Sequence, residues 1–174
     1  MPPLALLFLP KGTGFTNQPQ KPRFLLCFWR ICYTSATMRR YTDEHAKAGI
    51  KVKLPEIETW PNQFKGYTIT TTIPEFTSVC PKTGLPDFGA LTLEYEPNKR
   101  CLELKSLKEY LLSYRNLGIF YENVVNRVLE DVVNACKPVW AVVHGEFRPR
   151  GGISMVVEAC YPKRRGDSGL RKKL

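Results

Sequence analysis

The sequence predicts an α+β fold: a four-stranded antiparallel sheet with two helices laid on one face, in the order strand, strand, helix, helix, strand, strand. Three observations carry that expectation. Two stretches between residues 65 and 96 alternate apolar and polar residues with period two, as half-buried strands do. The next stretches change to the helical period, twice, with a stop signal between them. Two further alternating stretches then flank a glycine-rich turn.

The first strand is expected over 65–73, where Tyr67, Ile69, Thr71 and Ile73 share one face and β-branched residues are frequent. A segment of turn residues follows, and the second strand covers 90–96 with Leu91, Leu93 and Tyr95 on one face. Pro97 and Asn98 then turn the chain. From Glu103 onward, Leu104, Leu107, Leu111 and Tyr114 recur at the spacing of one helix face, and Gly118 is the expected stop. A second helix is expected over 121–136, with Val125, Val128, Leu129, Val132, Val133 and Cys136 as its stripe and Pro138 past its end. The last two strands, 139–147 and 153–160, flank Arg148-Pro149-Arg150-Gly151-Gly152. Such a sheet keeps two open edges, which invite pairing with other copies.

At 174 residues, with 43% hydrophobic and 24% charged residues, the chain suits one ordinary globular domain. Its net charge of +10 sits mostly at the ends. Residues 1–37 carry Lys11, Lys21, Arg23 and Arg30 and no acid, and 163–174 carry Lys163, Arg164, Arg165, Arg171, Lys172 and Lys173 against Asp167. The middle is close to neutral, which tells against a DNA-groove binder, and no direct nucleic-acid contact is expected. Apolar runs at 4–9 and 24–33 fall short of the ~20 residues a membrane span needs. Residues 1–37 are expected to be an upstream extension, disordered or not native. Residues 38–162 form the domain and 163–174 a basic tail. The six cysteines form no CxxC pair, and with only His45 and His144 present no metal centre is expected. Cys101, Cys136 and Cys160 lie in or beside apolar segments and read as buried, inert thiols, so the chain reads as cytoplasmic and reduced.

Chemistry concentrates in Phe76-Thr77-Ser78-Val79-Cys80-Pro81-Lys82-Thr83-Gly84-Leu85-Pro86-Asp87-Phe88-Gly89. Cys80 can be a nucleophile, with Lys82 favouring its thiolate, and Asp87 can deliver a proton to what the nucleophile attacks. The prolines and glycines suggest that both stand on a shaped loop. A structural cysteine closing a strand and a turn aspartate are the plainer alternatives. Lys105 and Lys108 share a helix face beside Ser106 at the helix start, which suits a phosphate grip as well as a solvated face. Glu122 can accept two parallel hydrogen bonds from a guanine-like edge, or can simply favour the helix dipole. Arg148, Arg150, Gly151 and Gly152 suit an anion-binding turn or a plain hairpin.

Three of these segments together resemble the NADPH-dependent 7-cyano-7-deazaguanine reductases, the nitrile reductases of queuosine biosynthesis, in their short single-module form. They are Pro74 to Phe88, Glu103-Leu104-Lys105-Ser106-Leu107-Lys108-Glu109-Tyr110, and Phe147-Arg148-Pro149-Arg150-Gly151-Gly152-Ile153. The resemblance spans 41–157. It implies a tunnelling fold whose modules join through sheet edges into rings that stack in pairs. It implies that Cys80 attacks the nitrile carbon to give a thioimide, that Asp87 protonates the nitrile nitrogen, and that NADPH supplies the hydrides. Glu122 would anchor the purine edge, with Leu102, Glu103, Leu104 and Tyr121 in the same pocket. Lys105, Ser106, Lys108, Arg148, Arg150 and Gly151 would face the cofactor. The family commonly has histidine where this chain has Tyr121, and tyrosine does not titrate near neutrality. Activity is expected to survive that change with a flatter pH profile around neutrality. A zinc-dependent cyclohydrolase of the same fold lacks its zinc set here. An amidinotransferase-like enzyme and a non-catalytic deazapurine-binding module are the alternatives that remain.

Overall fold

The computed structural model describes residues 40–162. The extension at 1–37, with Cys27 and Cys32, and the basic tail at 163–174 lie outside the described residues. The order of elements is α1 (Asp43–Lys47), β1 (Thr59–Pro61), β2 (Ile69–Val79), β3 (Pro86–Glu96), β4 (Arg100–Leu102) and α2 (Leu104–Leu112). A 3₁₀ turn (Ser113–Asn116), α3 (Tyr121–Cys136), β5 (Trp140–Arg150) and β6 (Ile153–Tyr161) complete it. The four long strands form one antiparallel sheet in the order β2-β3-β5-β6. This is the expected architecture. The small β1–β4 pair and α1 are additions that gave no periodic signal, being three, three and five residues long.

Alternation decides which face is buried. Leu91, Leu93 and Tyr95 of β3 and Ala141, Val143 and Phe147 of β5 point to the helices, where Leu107, Tyr110, Val125, Val128 and Val132 meet them. Burying each large apolar side chain contributes about 1.5–3 kcal/mol before entropy is charged against it. α3 has the bounds and nearly the stripe expected, Val124 being fully buried and Val133 only partly. Lys137 ends it in the left-handed conformation with φ 47°, directly before Pro138. Gly118 does not cap α2; the helix gives way to the 3₁₀ turn, and Gly118 bridges to Val79 instead. Leu104, counted on the buried face, is 67% exposed because it opens the helix above the core.

β2 departs most from expectation. It starts at Ile69 and continues through Pro74 to Val79, where a turn-rich loop was expected. Proline is tolerated there because β2 is an edge strand and because its register shifts by one residue between Ile73 and Phe76. That bulge has a large consequence. Ile69, Thr71 and Ile73 are the half-buried positions before it, whereas Phe76, Ser78 and Cys80 are buried after it. A one-residue slip moves every later side chain to the other face. The same device recurs in β5, where the register shifts between Phe147 and Arg150. Gly151 and Gly152, both at positive φ (56° and 84°), then make the tight turn into β6.

Candidate active site

The two bulges bring Cys80 and Arg150 to one end of the sheet, on the side of the helices. Cys80 directly follows β2: its N–H donates to Leu85 O at 2.9 Å, and its carbonyl accepts from Gly84 N at 2.9 Å, which closes a short loop. Val79 is tied to the start of α3 by bonds from its N–H to Leu117 O and from Ile119 N–H to its carbonyl, both 3.0 Å. The thiol is 8% exposed. Burial pushes its pKa up, but donors outweigh burial. The Thr83 hydroxyl, the Thr83 and Lys82 backbone N–H groups and the Arg150 guanidinium hold the thiol below its usual range.

Asp87 is 4% exposed and belongs to β3, in register with Ser78 on β2, so it stands on a strand and not on the expected loop. Two groups converge on its Oδ1: the Tyr121 hydroxyl donates a hydrogen bond to it, and Nη2 of Arg150 forms an ion pair with it. Arg150 also donates to Pro86 O at 3.0 Å, and its guanidinium lies near enough to the Cys80 thiol to lower its pKa. It thus acts on both members of the expected pair, although it was expected among the cofactor contacts. Tyr121, the first residue of α3, stacks on Phe147 with ring centroids 3.9 Å apart and planes 13° from parallel. Its hydroxyl, expected toward the substrate, is spent on Asp87. Burial, then that hydrogen bond, push the phenol far above its ordinary value, so it remains a donor.

A second group of residues surrounds the start of α2. An open cleft of about 400 Å³ is lined by Trp60, Ile69, Thr71, Tyr95, Cys101, Leu102, Glu103, Leu104 and Leu107. It includes the three pocket residues expected from 102 to 104 and no member of the Cys80 cluster. Glu103 is the helix cap: its two oxygens accept from Lys105 N at 2.8 Å and Ser106 N at 2.6 Å. Those bonds draw its carboxyl below the usual range. Ser106 is 8% exposed, accepts from Glu58 N at 2.9 Å and donates to Glu103 O at 2.9 Å. The expected phosphate grip at the helix end therefore loses its free N–H groups and its hydroxyl. What remains are the exposed Lys105 and Lys108, in no ion pair among the described residues. Glu122, Arg148 and Gly151 are exposed as well, and the Glu122 carboxylate has no partner among the described residues.

The roles of Thr83, Phe147 and Arg150 were not read from the sequence, although all three stand within the segments that carry the family resemblance. Cys101 and Cys136 are buried thiols as expected, and burial pushes Cys136 up to about 11, whereas Cys160 is only half-buried.

A sheet under two helices, with a buried cysteine and a buried aspartate at one end of it, defines a small α+β protein. The family model described as QueF-like protein matches residues 86–166. The NADPH-dependent 7-cyano-7-deazaguanine reductase of Elusimicrobium minutum is 60% identical over 125 residues, covering 71% of this chain and 95% of that protein. The one of Chloroherpeton thalassium is 58% identical over 110 residues, 62% of this chain and 95% of its own length. Among solved structures, the apo form of the archaeosine synthase QueF-Like superposes with TM-score 0.52 at 25% identity, covering 56% of this chain and 95% of that one. The chain belongs to the family of NADPH-dependent 7-cyano-7-deazaguanine reductases, and its fold is the tunnelling fold. No helix among the described residues is long and apolar enough to cross a membrane.

Proposed function

We propose that this chain is the oxidoreductase that converts the nitrile of 7-cyano-7-deazaguanine to the aminomethyl group with NADPH, in the synthesis of queuosine for transfer RNA. The observation that carries the mechanism is the thiol of Cys80, held below its usual pKa range beside an aspartate that shares Arg150 with it. Cys80 Sγ attacks the nitrile carbon, one bond of the C≡N group opens, and the thiol proton reaches the nitrile nitrogen through Asp87. The product is a thioimide on Cys80. Bound NADPH would supply the hydride; taking the thioimide carbon to the amine needs two hydrides and two protons, and the C–S bond breaks to return the Cys80 thiol. Lys105 and Lys108, exposed cations in no ion pair among the described residues, suit its phosphates, and Arg148 and Gly151 stand on another exposed turn.

Glu122 is the group for the purine edge, since its carboxylate is exposed and unpaired next to Tyr121. A site built to pair that edge rejects bases that lack it. Leu102, Glu103 and Leu104 lie in a cleft away from Cys80, so the site is completed when a second copy sets its own cleft against the Cys80 cluster. The open edge β6, with Ile153 75% and Val156 61% exposed, offers the surface for such a ring. Cytoplasmic residence accords with the reduced thiol the reaction needs.

Mixing the protein with 7-cyano-7-deazaguanine should produce thioimide absorbance, and adding NADPH should consume it with oxidation of the cofactor. Cys80→Ala should lose both signals. A thioimide that forms without any NADPH oxidation would turn the reading toward an amidinotransferase-like or binding role.

A further inference from the structure

We infer that Tyr121 is a positioning residue for Asp87, which pins Oδ1 and leaves Oδ2 as the oxygen that passes the proton from Cys80 to the nitrile nitrogen. The inference rests on the reductase reading above and adds to it a division of labour within one carboxylate.

Three features converge on it. The Tyr121 hydroxyl donates to Oδ1 from α3 on one side, and Arg150 Nη2 forms an ion pair with the same oxygen from the end of β5 on the other. The carboxylate cannot rotate to exchange its oxygens without breaking the Tyr121 bond and drawing Oδ1 away from the guanidinium. Oδ2 has no partner among the described residues, yet the one buried polar side-chain atom left unpaired there is Ser78 Oγ. Oδ2 is therefore not fully sealed, although the Asp87 side chain is only 5% exposed.

The hydroxyl of Tyr121 is aimed by its ring. That ring lies flat on Phe147, itself 4% exposed, so the stack fixes where the hydroxyl oxygen sits, beside Oδ1. The phenol stays protonated through the neutral range, because burial and then the bond to Asp87 disfavour its anion. It can therefore hold Oδ1 while Oδ2 first takes and then returns a proton. Addition then balances as follows: the S–C bond forms, the S–H bond breaks toward Oδ2, and Oδ2 hands the same proton to nitrogen. Asp87 ends as it began. A tyrosine without any proton transfer of its own thus suffices at this position.

Tyr121→Phe keeps the ring and its stack and removes only the hydroxyl. Thioimide formation would be followed by stopped-flow absorbance without NADPH, and non-covalent affinity for 7-cyano-7-deazaguanine would be measured in the Cys80→Ala background. The expected result is a rate about tenfold lower or more in Tyr121→Phe. Affinity should differ by less than about twofold between Cys80→Ala and Cys80→Ala/Tyr121→Phe, the mark of a group acting on the step and not on binding. Tyr121→His, which restores a donor, should recover part of the rate. An unchanged rate in Tyr121→Phe, or an affinity loss as large as the rate loss, overturns the inference and leaves the reductase reading standing. A wild type that forms no thioimide overturns both.

Discussion

Ser78 and Asp87 are in-register partners across β2 and β3, and both side chains are buried, at 0% and 4% exposure. Ser78 Oγ has no hydrogen-bond partner, while Ser106, 8% exposed, bonds both Glu58 N and Glu103 O. The two serines should respond oppositely to the same change. Ser106→Ala strands a backbone donor and should cost about 1–2 kcal/mol in urea unfolding. Ser78→Ala removes an unsatisfied hydroxyl and should be neutral or slightly stabilising. Equal losses would mean that the Ser78 hydroxyl has a partner after all.

The pH dependence of Cys80 has a definite sign. Its thiolate is favoured in the folded chain, so alkylation by iodoacetamide should reach half its plateau rate at a lower pH than for the same cysteine in the unfolded chain. Stability from this group is full above the ordinary value and is lost as pH falls through the lowered one. Arg150→Met removes one donor and should move the alkylation midpoint upward. A midpoint that does not move would show that Thr83 and the loop amides suffice.

Glu103 behaves as a depressed carboxylate with a different reporter. The N–H groups of Ser106 and Lys105 lower its pKa, so its contribution is present above the ordinary carboxylate range and is lost as pH falls through the lowered value. Glu103→Gln should flatten the acid side of the stability–pH curve and leave the neutral side nearly unchanged, since the amide oxygen can still cap. Unfolding midpoints measured across that range would show it.

Gly89 is the place where β3 admits no side chain. A Cβ there would lie 2.7 Å from Glu146 O and 2.8 Å from Phe147 Cδ1. The carbonyl belongs to the sheet and cannot yield, so Gly89→Ala should cost about 1–3 kcal/mol. Because Phe147 supports Tyr121, the variant should also slow thioimide formation at temperatures where it remains folded. Full retention of that rate would show that the stack tolerates displacement.

Much of this protein was legible in the chain because its signals are local. Period two and period 3.6 come from neighbours in sequence, and they gave the ββααββ order and the bounds of α3. Cys80 and Asp87 could be named from residue type and company alone. What no local pattern could supply is which face each residue takes. The bulge between Ile73 and Phe76 turns Cys80 toward the helices, and the one between Phe147 and Arg150 lets the guanidinium reach Asp87. A bulge is decided by pairing with a distant strand, so it leaves no period to read. The chain by itself determined the sheet and the helices, and it singled out Cys80 as the candidate nucleophile. Tertiary structure alone decided that Tyr121 and Arg150 hold one oxygen of Asp87, because only long-range register brings α3, β3 and β5 to the same point.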